Sequence, residues 1–340
     1  MKVATLTHEG FVINQIERPL ASRDEVVIQV GACGICGTDI LKATDPTFPR
    51  PAVLGHEISG IISEIGSNVR DLSVGDRVFV AHHVPCFTCE VCQRGDYSLC
   101  PHFKQTNVFP GGFSEFIKVS REHVAHTLHK IPDNISIEAA TFIEPLSCCI
   151  HGQKIMGLQA GDRVLIMGVG PIGLLHLQLA RANLAREVYV SDISPHRIQK
   201  AMELGAHAGF DVSRQSLSEY LSPMSQINAV IITAPLKSLL RDAVNIVARG
   251  GRIMVFSPFD GTLELNVKRF FDDEIKIMGA YSSTPYDYPL AIQLLEQQKV
   301  LVEPLISQVL PLHQIDDGIK LARESKELKI LLRNSDDVLS

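Results

Sequence analysis

The sequence predicts an α/β protein in two parts, a small irregular β barrel and a doubly wound parallel sheet. Three observations predict it. The chain has 340 residues, more than one ordinary core organises, so two domains are expected. The N-terminal part carries short β-branched runs broken repeatedly by Gly and Asp turns. From Arg163 onward, apolar strands alternate with helical patterns, the signature of parallel βαβ units.

Composition narrows the class. Apolar residues make up 45 % and charged residues 21 %, the profile of a soluble globular protein. A net charge of −6 without a basic block argues against nucleic acid or an anionic membrane as partner. No stretch of about 18 uninterrupted apolar residues exists, and Met1-Lys2-Val3-Ala4-Thr5-Leu6 reads as a strand rather than a secretory leader. The eight cysteines cluster at short spacings, which in such a chain suggests metal rather than disulfides. A cytoplasmic protein is expected.

Taken in order, residues 1–33 read as β structure, with Glu25-Val26-Val27-Ile28-Gln29-Val30 bounded by Asp24 and Gly31. Cys33, just past that run, reads as a small buried hydrophobe. Gly34-Ile35-Cys36-Gly37-Thr38-Asp39 follows, then a proline-bearing loop over 44–51, then Gly55-His56-Glu57. A thiolate, an imidazole and, much later, the carboxylate of Glu144 in Glu144-Pro145-Leu146 are the ligand types of a catalytic zinc that keeps one position open. Glycine or proline beside each lets the backbone bend distant segments onto one ion. Strands are expected over Ile58–Ile65 and, after the Gly75-Asp76 turn, Arg77–Ala81. His82 and His83 either face an active site or serve as solvated or hydrogen-bonded histidines.

Cys86, Cys89, Cys92 and Cys100 form C-x2-C-x2-C-x7-C, and four thiolates at that spacing can close a tetrahedral shell around a structural zinc. In iron–sulfur runs of this type the fourth cysteine follows after three residues, not seven. A nucleic-acid-binding zinc ribbon would need a basic face, and here Glu90 and Asp96 offset Arg94.

Near residue 150 the pattern changes. Arg163-Val164-Leu165-Ile166-Met167 is a continuous apolar strand of the kind buried on both faces. Gly168-Val169-Gly170-Pro171-Ile172-Gly173 follows at once and opens a helix with Ile172, Leu175 and Leu179 on one face. The strand Glu187–Ser191 then ends at Asp192, 19 residues after Gly173. In that context G-x-G-x-x-G is a dinucleotide fingerprint: the glycines allow a tight turn and bring the pyrophosphate close to the N–H groups of the helix start. Asp192 suits ribose hydroxyls and repels a 2′-phosphate, which predicts NAD rather than NADP. Arg197 either lies over the adenine side or is a helix-surface charge. Ser194-Pro195 makes an N-cap and N1 pair for the next helix. Strands over Ala229–Thr233, Arg252–Phe256 and Ile275–Met278 are expected, with helices near 237–249, ended by Gly250-Gly251, near 288–298 and near 313–325.

Together G-I-C-G-T-D at 34–39, G-H-E at 55–57, the four-cysteine run at 86–100, G-G-F-S-E-F at 111–116, E-P-L at 144–146 and G-V-G-P-I-G at 168–173 resemble the zinc-dependent medium-chain alcohol dehydrogenase family, over nearly the whole chain. The resemblance implies a GroES-like β-barrel catalytic domain at 1–150 with its structural zinc lobe at 86–100. It further implies a Rossmann NAD-binding domain at 151–280, a return to the first domain over 281–340, and an active site in the cleft between the two. It implies two zinc ions per chain and a homodimer or homotetramer. Ethanol-type members place cysteine where Glu144 stands, whereas sorbitol-type members carry E-P-L. Cys36 and His56 are then zinc ligands, with Glu57 and Glu144 completing the shell directly or through water. Glu57 is either a ligand or a carboxylate behind the ligands that tunes the metal. Ile172, Asp192 and Arg197 fall at positions that contact NAD in sorbitol-dehydrogenase-like members.

The implied chemistry is hydride transfer from a secondary alcohol (a polyol, sugar alcohol or sugar derivative) to NAD⁺. Thr38 resembles the family's Ser/Thr that takes the alcohol proton, its alternative being an N-cap for a helix opening at Asp39. Two departures are visible. Leu41 stands where many relatives carry the outer histidine of the proton relay, and Gly279-Ala280-Tyr281-Ser282-Ser283 lacks an arginine common in sorbitol-type members. Phe48, Phe109, His82 and Tyr281 are candidate pocket walls, and Cys148 and Cys149 read as packing residues. An L-threonine 3-dehydrogenase-like activity is the competing reading within enzymes. A catalytically silent member of the fold is the competing reading outside them, and the intact set Cys36, His56, Glu57 and Glu144 weighs against it.

Overall fold

The computed structural model describes residues 1–221, 226–324 and 327–334. The chain divides into two compact units. One comprises Met1–Pro145, Thr284–Gln297 and Leu301–Ser340, the other Leu146–Ser283 and Gln298–Val300.

In the first unit the central strand is Val26–Gly34, whose side chains are buried along almost its full length. It pairs antiparallel with Glu57–Ile65, Phe116–Val119 and Lys329–Arg333. The strands Arg77–Ala81 and Leu128–Lys130 extend the sheet on one side, and Ile306–Pro311 on the other. A smaller sheet of Gly10–Gln15, Lys2–Thr7 and Ala52–Val53 shares the same core, because Ala4 and Leu6 pack into one cluster with Val26, Ile28, Ile58, Ile62, Val80, Ile117 and Ile330. Burying each such branched side chain is worth about 1.5–3 kcal/mol, so this shared core is what closes the irregular barrel. Cys33 belongs to it, as its sequence context suggests, and burial pushes its thiol well above the ordinary range.

The second unit is a six-stranded sheet, parallel throughout. Its spatial order is Ala208–Asp211, Glu187–Asp192, Arg163–Met167, Ile227–Ile232, Val247–Val255, Lys276–Gly279. Counted along the chain that order is 3-2-1-4-5-6, the doubly wound arrangement whose switch point lies at the first strand, where the glycine loop leaves. Asp162, just before that strand, receives both of its ion-pair contacts at 2.7 Å from Arg252 Nη2 of the fifth.

Three details differ from expectation. The strand Ala208–Asp211 is missing from the sequence reading; it is four residues long and carries Gly209, so neither length nor β-branching announces it. The helix expected to reach 249 stops at Ile246. Gly250 and Gly251 lie instead inside Val247–Val255, where the register against the neighbouring strand slips between Ile227 and Ala229 and the extra residues loop out. Helix Leu217–Leu221 and helix Val267–Asp273 also carry no clear periodic signal. Among the described residues, no helix is long and apolar enough to cross a membrane.

Candidate active site and metal centres

The Val26–Gly34 strand ends where the first ligand candidate begins. Helix Gly37–Thr44 follows, with Cys36 in its N-cap position. The helix therefore opens before Thr38, and the alternative role of Thr38 as a cap for a helix starting at Asp39 is not what the chain adopts. Thr38 is exposed, with its Oγ1 3.7 Å from Cys36 Sγ.

Asp39, which the sequence reading left without a role, is wholly buried. It accepts the Cys36 N–H at 3.0 Å and the Gly55 N–H at 3.3 Å, and lies 3.4 Å from His56 Nδ1. One carboxylate thus ties both ligand-bearing segments together and fixes which imidazole nitrogen is left for a metal. Burial works against the charge on both His56 and Asp39. Their attraction, with the Cys36 charge adding to it on the imidazole, overrides that cost: His56 is held well above its ordinary range and Asp39 below its own. Gly55 has φ +87°, and a Cβ there would stand 2.7 Å from the Phe113 backbone nitrogen, so only glycine makes this bend.

One ligand atom each from Cys36, His56 and Glu57 lies within 4.8 Å of the others. Glu144 lies in the first turn of helix Ile143–Met156 and is 7 % exposed. Glu57 pairs across the sheet with Gly34, and its Oε2 forms an ion pair with Lys329 Nζ, both side chains being buried. Lys329 opens the strand Lys329–Arg333, and its Nζ stands 5.9 Å from the Phe142 ring centre. The sequence offers only a faint sign of it, a lysine heading the apolar run Ile330-Leu331-Leu332.

His82 lies against His56, with ring centres 4.8 Å apart, and against His83 at 3.9 Å. Burial holds both histidines below the ordinary imidazole range, His83 at about 4. Among the other candidate wall residues, Phe48 carries Lys42 Nζ 5.7 Å above its ring, while Phe109 and Tyr281 are exposed. Cys149 is fully buried and Cys148 half-buried, as packing residues would be.

The four lobe cysteines also converge, their sulfurs all within 4.8 Å of one another. Helix Glu90–Gln93 starts from Cys89, and Phe103 packs beneath Cys92 and Cys100. Hydrogen bonds from the Thr88 backbone and hydroxyl pull the Cys86 thiol down to about 5, whereas burial and its cysteine neighbours push Cys92 up to about 12.

In the second unit, Gly168 has φ +98° and Gly173 packs so close that a Cβ would fall 2.1 Å from Gly168 O. A Cβ on Gly170, by contrast, meets nothing nearer than Arg197 Nη1 at 3.8 Å, which leaves the helix start open to a pyrophosphate. Pro171 and Ile172 begin the helix Pro171–Ala182. Asp192 Oδ2 accepts the Val169 N–H at 2.8 Å, and its Oδ1 accepts the Ser194 N–H at 2.9 Å. Those two bonds leave lone pairs for ribose hydroxyls. Ser194 caps helix Pro195–Glu203 through the Arg197 N–H, as its sequence predicts. Thr233, unassigned from sequence, donates from its hydroxyl to Gly168 O at 2.6 Å and braces the loop from below.

Two family models match the chain: the alcohol dehydrogenase GroES-like domain over residues 22–133 and the zinc-binding dehydrogenase domain over residues 171–297. Sorbitol dehydrogenase of Bacillus subtilis is 34 % identical, with 98 % of this chain and 97 % of that protein aligned. D-Arabitol-phosphate dehydrogenase of Enterococcus avium is 30 % identical, over 93 % and 92 %. A zinc-binding dehydrogenase from Sinorhizobium meliloti, solved bound to NADP, superposes with a TM-score of 0.90 at 28 % identity, covering 98 % of each chain. The chain belongs to the zinc-dependent medium-chain alcohol dehydrogenase family, on its polyol dehydrogenase branch.

Proposed function

We propose that this enzyme oxidises a secondary alcohol of the polyol, sugar-alcohol or sugar-derivative class with NAD⁺, using one zinc ion at Cys36, His56 and Glu57, with Glu144 beside them, and a second at Cys86, Cys89, Cys92 and Cys100. The observation that carries the reading is the convergence of thiolate, imidazole and carboxylate within 4.8 Å. That mixed, partly anionic donor set, with Asp39 behind the imidazole, fits a zinc that keeps a position for substrate. The all-thiolate lobe fits a closed structural ion. When bound, the first zinc supplies Lewis acidity that makes a hydroxyl easier to deprotonate, and the nicotinamide accepts the hydride.

The chain's own part is to bind, orient and move one proton. Thr38 Oγ1, exposed beside Cys36, accepts the substrate's hydroxyl proton. With Leu41 exposed and carrying no base, the proton passes from Thr38 to solvent or a ribose hydroxyl rather than to a histidine. Gly168, Gly170, Pro171, Ile172 and Gly173 receive the pyrophosphate, Asp192 the ribose hydroxyls, and Arg197, half-buried beside Gly170, the adenosine side. Asp192 supports NAD over NADP, because its charge would face a 2′-phosphate, although the Sinorhizobium meliloti relative binds NADP. Cytoplasmic residence and a homodimer or homotetramer belong to the same reading. The strand Lys276–Gly279, which among the described residues lies at the edge of its sheet, is a place for a second copy to join.

The test is reduced-nicotinamide absorbance with each cofactor against a panel of polyols, polyol phosphates, sugar acids, L-threonine and simple alcohols, with metal counted per chain. Two zinc ions and NAD-dependent turnover of a polyol or sugar derivative are expected. Turnover of L-threonine alone would overturn the substrate class. One zinc and no turnover with any member of the panel would overturn the assignment of Cys36, His56 and Glu57.

A further inference from the structure

The buried ion pair behind the ligand trio has no role in the reading above, and it is an expensive feature to keep. Removing an ammonium from water costs several kcal/mol, and that cost is recovered only with good partners in place. Lys329 is 5 % exposed and Glu57 1 %. The backbone makes room for them: a Cβ on Gly34 would fall 1.9 Å from Glu57 Oε2 and 2.9 Å from Lys329 Cε. Leu331, two residues along its strand from Lys329, pairs with Gly34, and Gly34 pairs with Glu57. Three strands therefore meet at this one contact.

We propose that Lys329 is a positioning residue for the metal centre: by holding Oε2 of Glu57 in an ion pair, it limits Glu57 to one oxygen towards the metal and so preserves the coordination position that the alcohol takes.

The argument is one of charge and valence. A carboxylate beside a dication can bind through one oxygen or through both, and both together occupy the space of an extra ligand. An ammonium on one oxygen removes that choice and drains part of the carboxylate's charge. The need is real here, since the Cys36 thiolate and Glu57 together already match the charge of a dication. The inference rests on the metal-centre reading given under the proposed function.

The test uses the full chain with zinc in the lobe and cobalt(II) in the mixed site, read by metal per chain and by the visible ligand-field absorption, which weakens as the shell grows from four to five. Lys329→Met is expected to keep its cobalt but lose ligand-field intensity, and its spectrum should stop responding to added alcohol. Lys329→Arg should restore the parent spectrum. In Lys329→Met with Glu57→Gln the loss should disappear, because an amide offers one metal-binding oxygen whatever stands behind it. A Lys329→Met spectrum equal to the parent's, or a loss that persists in the double variant, overturns the inference while leaving the metal centre intact. Should Lys329→Met fail to fold, Glu57→Gln alone decides: a spectrum like the parent's supports one-oxygen binding, and a gain in intensity shows that the parent already binds through two and overturns it. A parent chain that binds metal only in the lobe overturns the metal-centre reading itself.

Discussion

The two candidate metal-binding clusters of this protein are built in opposite ways. In the lobe, all four cysteines fall between Cys86 and Cys100, and what supports them is local: a short helix from Cys89, the Thr88 N–H and hydroxyl on Cys86, and Phe103 packed against Cys92 and Cys100. In the mixed site the candidate ligands are Cys36, His56 and Glu57, and the support comes from elsewhere: Asp39 ties two segments, Gly34 yields space, and Lys329 arrives from the far end of the chain. The difference teaches where each site can fail. A local site fails when a ligand is lost, whereas a site assembled from distant strands fails when its supports are lost, even with every ligand present.

The sharpest contrast sets Gly34→Ala against Cys89→Ser. The alanine Cβ would stand 1.9 Å from Glu57 Oε2 and 2.9 Å from Lys329 Cε, so the two buried side chains must shift apart, and overpacking of this kind costs roughly 1–3 kcal/mol. Metal analysis should show the mixed site emptied and turnover lost, with the lobe metal still in place, although no ligand has been changed. Cys89→Ser should do the reverse and empty the lobe alone. If Gly34→Ala retains both metals and most of its activity, the mixed site does not depend on remote support and the contrast collapses.

A smaller effect is expected from Asp39→Asn. The amide keeps the shape but weakens the hold on His56 Nδ1, where the carboxylate now sits at 3.4 Å. Carboxylates behind a ligating imidazole typically contribute 10–100-fold in metal affinity or activity. A loss of about tenfold or more in the mixed site's metal affinity, measured by competition with a chelator, is the expected outcome. An unchanged affinity would show that the Cys36 and Gly55 N–H bonds, not the imidazole contact, are what Asp39 is for.

The same division governs what could be read from the sequence. The lobe and the glycine loop were legible because spacing alone places their groups: Cys86 to Cys100 within one turn-rich stretch, and Gly168, Gly170 and Gly173 between a strand and its helix. Cys36, His56 and Glu57 were legible as ligand types beside glycine, and the structure brings those three together. Their supports were not legible. Asp39 stood inside a quoted motif, yet its role depends on Gly55 and His56 folding back onto it. Lys329 pairs with Glu57 only through strand neighbours at Gly34, and nothing in the order of residues announces that meeting. The Ala208–Asp211 strand escaped for a related reason, since a four-residue segment with glycine is a strand only because Glu187–Asp192 lies beside it.

The smallest effect is the one that tests the lobe's side of the contrast. Thr88 acts on Cys86 through two groups, its backbone N–H and its hydroxyl, the latter 3.6 Å from the sulfur, and Cys89 adds a second backbone N–H. Thr88→Val removes the hydroxyl and leaves both N–H groups, because their aim is set by the turn through Phe87, which holds φ +59°, and not by any side chain. Metal release from the lobe to a chelator should therefore quicken by roughly threefold or less, the scale of one weak hydrogen bond among several. Turnover should stay at the parent level, since no group in the mixed site is touched. A lobe that loses its metal outright on Thr88→Val would mean that its thiolates lean on side chains as heavily as Glu57 leans on Lys329. The two clusters would then differ in sequence spacing but not in the way they are held.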